Sequence, residues 1–229
     1  MKRRFPFEIL YEDKDVLVVY KERNLLTIKT DDPKTFSCNL YHYVHDYLVS
    51  HHERPFIVHR LDFETSGLLV FAKKPEVKER LQKCFEKREV VRLYEAVVRE
   101  KVPLGKTSLV RMRLKENPNS FFVHADKMGK DALTLLCPVN AIQIGTAVKI
   151  EILTGRKNQI RIALQKKGWT LIGDERYSHD KAKRMYLNAY YLLFPESSGL
   201  QKREFLSSPL WIKEELPIQR LAKKDQSSF

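Results

Sequence analysis

The chain has 229 residues, 43% of them hydrophobic and 31% charged, the balance of a soluble globular protein. It contains no apolar run near the roughly 18 residues that span a bilayer. Met1-Lys2-Arg3-Arg4 followed by Phe5-Pro6-Phe7-Glu8 lacks the apolar stretch of a secretory signal, so a cytoplasmic protein without membrane attachment is expected. Lys plus Arg number 42 against 29 Asp plus Glu, a net charge of +13, which suits either a polyanionic partner such as nucleic acid or a basic, well-solvated surface.

In chain order, Val16 to Tyr20 reads as an apolar strand after the acidic turn Glu12-Asp13, with Leu25 to Lys29 as its hairpin partner across a turn at Asn24. Ser37 caps a helix running to about Leu48, with Leu40, Val44, Tyr47 and Leu48 on one face. Leu68 to Ala72 reads as a buried strand. Pro75 opens a helix to about Lys87 that turns Val77, Leu81, Cys84 and Phe85 inward. The second half is richer in strands: Val91 to Arg99, Leu109 to Leu114, Phe121 to Ala125, Ala132 to Val139 and Ala147 to Leu153. Gly155 opens a helix to about Lys167 with Gly168 as its C-cap, and Met185 to Phe194 is a last core strand.

These strands are not separated by regular crossover helices, so the fold class is α+β with a largely antiparallel sheet. The whole chain, 1–229, is expected to form one domain with a core over about 7–195 and a polar tail over 196–229. The three cysteines, Cys38, Cys84 and Cys137, are odd in number and far apart, the pattern of buried or half-buried thiols in a reducing compartment rather than of a disulfide framework or zinc site. His51-His52-Glu53 has no further ligands at metal spacing and reads as an exposed helix end. Only eight glycines occur, and Gly67, Gly155 and Gly173 each sit in a polar cluster, which marks places where backbone shape matters.

The first such cluster is His59-Arg60-Leu61-Asp62-Phe63-Glu64-Thr65-Ser66-Gly67, a short polar loop between two apolar runs. A carboxylate beside an arginine and hydroxyls can serve as nucleophile, base or ligand, or the loop can simply satisfy its own backbone. The nonapeptide resembles H-R-L-D-x-x-T-S-G, the hallmark of the RluA family of RNA pseudouridine synthases, at all seven specified positions. Thr154-Gly155-Arg156-Lys157-Asn158-Gln159-Ile160-Arg161 resembles the family's T-G-R-x-H-Q-I/L-R-x-H, with Asn158 and Ala163 in place of the two histidines. Gly173-Asp174-Glu175-Arg176-Tyr177 is similar to G-D-x-x-Y, and Tyr11-Glu12-Asp13 with Lys21 to the family's Y-E-D and lysine turn, without its usual Pro and Gly. Arg92-Leu93-Tyr94 resembles K/R-x-Y, and Leu187-Asn188-Ala189 resembles L-H-A with Asn for His.

The resemblance runs in order from about Phe7 to Pro195 and implies a pseudouridine synthase-like fold with flanking helices and a central active-site cleft. It leaves no room for an additional N-terminal RNA-binding domain. By resemblance, Asp62 is the catalytic carboxylate, Arg161 its counter-charge and Tyr94 the tyrosine that meets the base near its C5 proton. Ile160 packs beside the base. Arg60 helps hold a flipped-out uridine, Arg156, Asn158 and Gln159 are candidates for RNA backbone or base contacts, and His59 and Thr65 are candidates for RNA or substrate binding. The implied partner is ribosomal or transfer RNA, the protein acts as a monomer, and isomerisation demands no cofactor or metal. The alternative is an RNA-binding protein on the same fold with weak or lost catalysis, which the replaced histidines suggest.

Overall fold

The computed structural model describes residues 5–117, 120 and 122–207. They divide into two compact units, one made of residues up to 90 with those from 189 onward, the other of residues 91–188.

The first unit begins with β1 (Phe7–Glu12) and β2 (Val16–Lys21), an antiparallel pair. Asp13 shapes the turn between them, its Oδ1 accepting the backbone N–H of Asp15 and of Val16 at 2.8 Å each. Helix α1 (Leu40–Val49), β3 (Phe56–Ile57), β4 (Ser66–Ala72) and α2 (Pro75–Glu86) follow. β4 is antiparallel to both β2 and β3 and is buried along its whole length. That explains why it reads as a continuous apolar run rather than an alternating one. Pro75 starts α2 because its fixed φ suits the first helical turn, and the apolar i, i+4, i+7 spacing turns Val77, Leu81 and Cys84 inward. There they meet Val16, Val18, Leu68 and Val70 in one core. Complete burial of a side chain such as Leu81 contributes about 1.5–3 kcal/mol.

Two expectations fail in this unit. Leu25 to Lys29 is not a strand: β2 already has β1 and β4 as its neighbours, and segment 22–27 runs instead along the loop that carries Asp62. Asn24 does take the left-handed conformation, with φ 57°. The cap of α1 is Asn39, not Ser37: Asn39 Oδ1 accepts from His42 N at 3.0 Å while its amide donates to the carbonyls of Thr35 and Phe36. β1 went unnoticed in the sequence because, with Glu8 and Ile9 both exposed, it lacks the clean alternation of a half-buried strand.

The second unit contains β5 (Val91–Val98), β6 (Ser108–Glu116), β7 (Val123–Ala125), β8 (Lys130–Ile142), β9 (Gly145–Ile152) and α3 (Gln159–Lys166). Its strands lie in the order β5-β9-β8-β6-β7, every neighbouring pair antiparallel, and α3 packs against β8 and β6. β7 starts at Val123, later than expected, and Phe121 lies outside the described residues. Helix α3 starts at Gln159, four residues after Gly155. Gly168 follows its C-terminus with φ 69°, as a C-terminal glycine should.

β10 (Leu187–Leu193) begins in the second unit and continues into the first, where it flanks β4 and pairs antiparallel with β11 (Glu204–Leu206). The stretch expected as a polar tail therefore carries structure up to residue 207. Leu200 and Phe205 are buried in the first unit's core, where Phe205 pairs with Leu192 of β10 and its ring meets that of Phe194 edge to face, centroids 6.5 Å apart. Residues 208–229 of that expected tail lie outside the described residues. The α+β, largely antiparallel architecture is as expected. All three cysteines are free thiols, but only Cys84 and Cys137 are buried and Cys38, on the loop before α1, is exposed; no described helix is long and apolar enough to cross a membrane.

One buried pair in the second unit has a measurable consequence. Glu95 on β5 faces Lys149 on β9 directly across the ladder, and both are buried. Burial pushes the Glu95 carboxyl up to about 7, against the opposing pull of Lys149. A carboxyl whose folded pKa lies above its unfolded value contributes stability that is full below about 4.5 and lost as pH rises through about 7. In the Glu95→Gln protein that loss is absent. Its unfolding free energy relative to wild type is expected to rise between pH 4.5 and pH 8 by about 2–3 kcal/mol. Denaturant titrations at the two pH values check this. An equal difference at both would mean that Lys149 keeps Glu95 ionised throughout.

Candidate functional site

In the first unit the chain leaves β3 and forms a loop, residues 58–65, before entering β4. Val58 and Leu61 anchor it in the apolar interior, Asp62 is half-buried, and Arg60 and Phe63 are exposed. The segment 22–27 braces this loop from below. Thr27 Oγ1 donates to the Leu61 carbonyl at 2.9 Å and accepts from Leu61 N at 3.3 Å, so one hydroxyl serves both backbone groups of the residue before Asp62. Leu25 N donates to the Phe63 carbonyl at 3.3 Å, and Thr65 N donates to the Asp62 carbonyl at 3.2 Å.

Lys21 completes the brace. It is fully buried, and its Nζ donates to the carbonyls of Leu25 (2.8 Å), Glu22 (3.0 Å) and Phe63 (3.2 Å), one for each N–H of an ammonium. Burial pushes its pKa down to about 7, while the carboxylates of Asp62, Glu64 and Glu22 pull it up. Lys21 therefore ties segment 22–27 to the loop at Phe63 and places a basic group near Asp62. Lys21→Met would strand three carbonyls in the interior. A loss of about 1–3 kcal/mol in unfolding free energy is expected, measured by denaturant titration. A variant as stable as wild type would show that the three bonds do not hold the loop.

His59 and Thr65 are both hydrogen-bonded within the first unit. His59 Nε2 accepts the backbone N–H of Val70 at 3.2 Å and its ring stacks on Phe85, centroids 4.9 Å apart. That acceptor role assigns the ring proton to Nδ1. Thr65 is 2% exposed. Gly67, at the start of β4, has φ 125°, and a Cβ there would overlap the backbone of Ala189 on β10.

In the second unit the loop after β9 leads into α3. Gln159 spends its whole side chain on it. Oε1 accepts from Thr154 Oγ1 (2.8 Å) and Arg156 N (3.0 Å), and Nε2 donates to the Leu133 carbonyl (2.9 Å) and Thr134 Oγ1 (3.0 Å). Asn158 is 5% exposed in the left-handed conformation, and its Nδ2 donates to Tyr177 Oη at 2.9 Å. These two residues, expected as candidates for RNA contact, are instead hydrogen-bonded within the unit. Arg156 Nε donates to the Asp131 carbonyl at 3.1 Å, and Ile160 is buried. Tyr94, on β5 opposite Ile150, is 9% exposed.

Arg161 is 1% exposed, and the structure gives it a carboxylate partner that sequence reasoning missed. Its Nε and Nη2 donate to the two oxygens of Asp174 at 3.0 and 2.6 Å. Asp174 Oδ1 also accepts the backbone N–H of Arg176 and Tyr177 at 3.1 Å each. The Arg161 guanidinium lies 5.0 Å from the Tyr177 ring centre. The signal for Asp174 was its place after Gly173, whose φ of 78° and close approach to Arg184 only glycine permits. Nothing in the spacing connected it to Arg161.

The chemistry on offer is a half-buried carboxylate on a rigid loop in one unit, and a desolvated, oriented arginine with a buried tyrosine in the other.

Residues 15–166 match the profile of the family described as RNA pseudouridylate synthase. The ribosomal large subunit pseudouridine synthase D of Vibrio cholerae is 31% identical over 183 residues, 75% of this chain and 53% of that protein. The Salmonella typhimurium protein of the same name is 32% identical over 176 residues, 75% of this chain and 52% of that protein. The chain spans about half the length of the curated relatives it matches. Among solved structures, Human RNA Pseudouridylate Synthase Domain Containing 4 superposes with a TM-score of 0.73 at 19% identity, covering 89% of each chain. Human RNA Pseudouridylate Synthase Domain Containing 1 gives 0.68 at 24% identity, covering 85% of this chain and 82% of that one. Both show a common fold.

Proposed function

This chain belongs to the RNA pseudouridylate synthase family, and on that premise we propose that it converts uridine to pseudouridine in structured RNA with Asp62 as its catalytic carboxylate. Ribosomal RNA is the favoured target class, since the similar bacterial proteins are named for the large ribosomal subunit; transfer RNA is the other. The reaction breaks the N1–C1′ bond, turns the base, forms C5–C1′, removes the proton from C5 and leaves one on N1. It needs no net oxidant or reductant.

In this reading Asp62 acts ionised, as nucleophile or base. Withdrawing it from water would raise its pKa and oppose ionisation. Arg161 offsets that cost as a counter-charge, held in orientation by Asp174. Tyr94 packs on the base and acts near the C5 proton, and Ile160 adds apolar contact. Arg60, exposed two residues before Asp62, holds the uridine that has left its stack. Arg156 reaches the RNA, while His59, Thr65, Asn158 and Gln159 hold the two loops in shape.

The observation that carries the proposal is the braced loop. Lys21, Thr27 and Leu25 all bond to the residues flanking Asp62, which fits a group that must be held to a fraction of an ångström for chemistry. A second reading, an RNA-binding protein without catalysis, draws on Asn158, Ala163 and Asn188 standing where family histidines are expected. All three are buried, at 5%, 0% and 0% exposure. Such positions alter packing and support more readily than proton transfer. Tritium release from RNA labelled at uridine C5 decides between the readings. Release in proportion to modified uridine is expected. An inert protein that still binds every RNA fraction would favour the second reading.

A further inference from the structure

We propose that Phe122 and Arg176 form a stacking platform for an unpaired RNA base. The proposal rests on the reading of the chain as an RNA-binding enzyme and extends it to a contact in the second unit. Phe122 directly precedes β7 and leaves half of its surface, 50%, exposed. A large aromatic side chain in water is unfavourable unless something covers it. The Arg176 guanidinium lies 5.5 Å from the Phe122 ring centre, so an aromatic face and a cationic plane stand together. Unstacked bases settle on such surfaces through stacking and cation–π attraction.

The platform is built, not merely exposed. Phe122 meets Tyr177 edge to face, centroids 6.1 Å apart. Tyr177 Oη accepts from Val123 N at 3.0 Å and from Asn158 Nδ2 at 2.9 Å, fixing the ring beneath Phe122. Arg176 is anchored through its backbone N–H on Asp174. The backbone of Arg176 and the ring beside Phe122 thus belong to the network that positions Arg161, which lowers the cost of ordering the platform on binding. The side chain of Gln159, at the start of α3, is fully engaged within the unit and leaves base contacts there to other side chains. A basic chain with a net charge of +13 favours a polyanion over an apolar peptide as the occupant.

The test compares two fluorescent probes, a uridine-rich single-stranded RNA and a duplex RNA, each of roughly twelve nucleotides, near the site sizes of single-strand binders. Phe122→Ala is expected to weaken single-strand binding about tenfold, with the duplex changed far less and the salt dependence unaltered, since no phosphate contact is removed. Phe122→Trp should retain binding, which guards against a folding defect in the alanine variant. Phe122→Ala binding the single strand like wild type overturns the platform, and so does an equal loss on both probes. Wild-type protein that binds neither probe at low salt overturns the RNA reading itself, a different outcome from failure of the platform alone.

Discussion

Asp62→Asn is expected to reduce the single-turnover rate of pseudouridine formation by on the order of 10⁴-fold or more while leaving RNA affinity within about threefold. Asn keeps the size of Asp but can neither attack as an anion nor accept a proton. At 1.36 kcal/mol per factor of ten the loss exceeds about 5 kcal/mol of transition-state stabilisation. The braces at the carbonyls of Leu61 and Phe63 and at Leu61 N are bonds to backbone groups that the substitution leaves in place, so the loop itself should persist. The measurement is tritium release at saturating enzyme, alongside a binding titration. An Asp62→Asn protein that turns over at the wild-type rate would remove Asp62 from the mechanism.

Arg161→Ala should act on stability as well as on rate. Asp174 is fully buried, and it would lose both of its guanidinium bonds. Breaking a buried pair by deleting one partner costs about 3–5 kcal/mol, because the remaining charge has no water to return to. Domains have about 5–15 kcal/mol in total, so this variant is expected to unfold at markedly lower denaturant, with the Tyr177 contact weakened as well. Arg161→Lys retains the charge but lacks the planar fork that meets both Asp174 oxygens, and should recover part of the stability and less of the rate. An Arg161→Ala protein with wild-type unfolding and turnover would show that neither the pair nor its orientation matters.

Much of this protein is legible in its sequence, because local patterns report local physics. The apolar run Leu68 to Ala72, the spacing of Val77, Leu81 and Cys84, and Pro75 at a helix start each record burial or backbone constraint within a few residues of themselves. The seven matching positions around Asp62 mark the loop for attention before any coordinate is known. Tertiary structure alone decided what those residues touch. Leu25 and Thr27 look like strand, yet their polar groups serve Leu61 and Phe63, more than thirty residues away. Lys21 stands out in the sequence only by resemblance to the family's lysine turn, and the folded chain makes it a buried tie between three carbonyls. Asn158 stands where a family histidine is expected, yet it hydrogen-bonds Tyr177 in the interior. Asp174 becomes the partner of Arg161 only because the turn at Gly173 brings it back against α3. Hydrophobic periodicity encodes which side of an element is covered, whereas a hydrogen-bond partner is fixed only when distant segments close on one another.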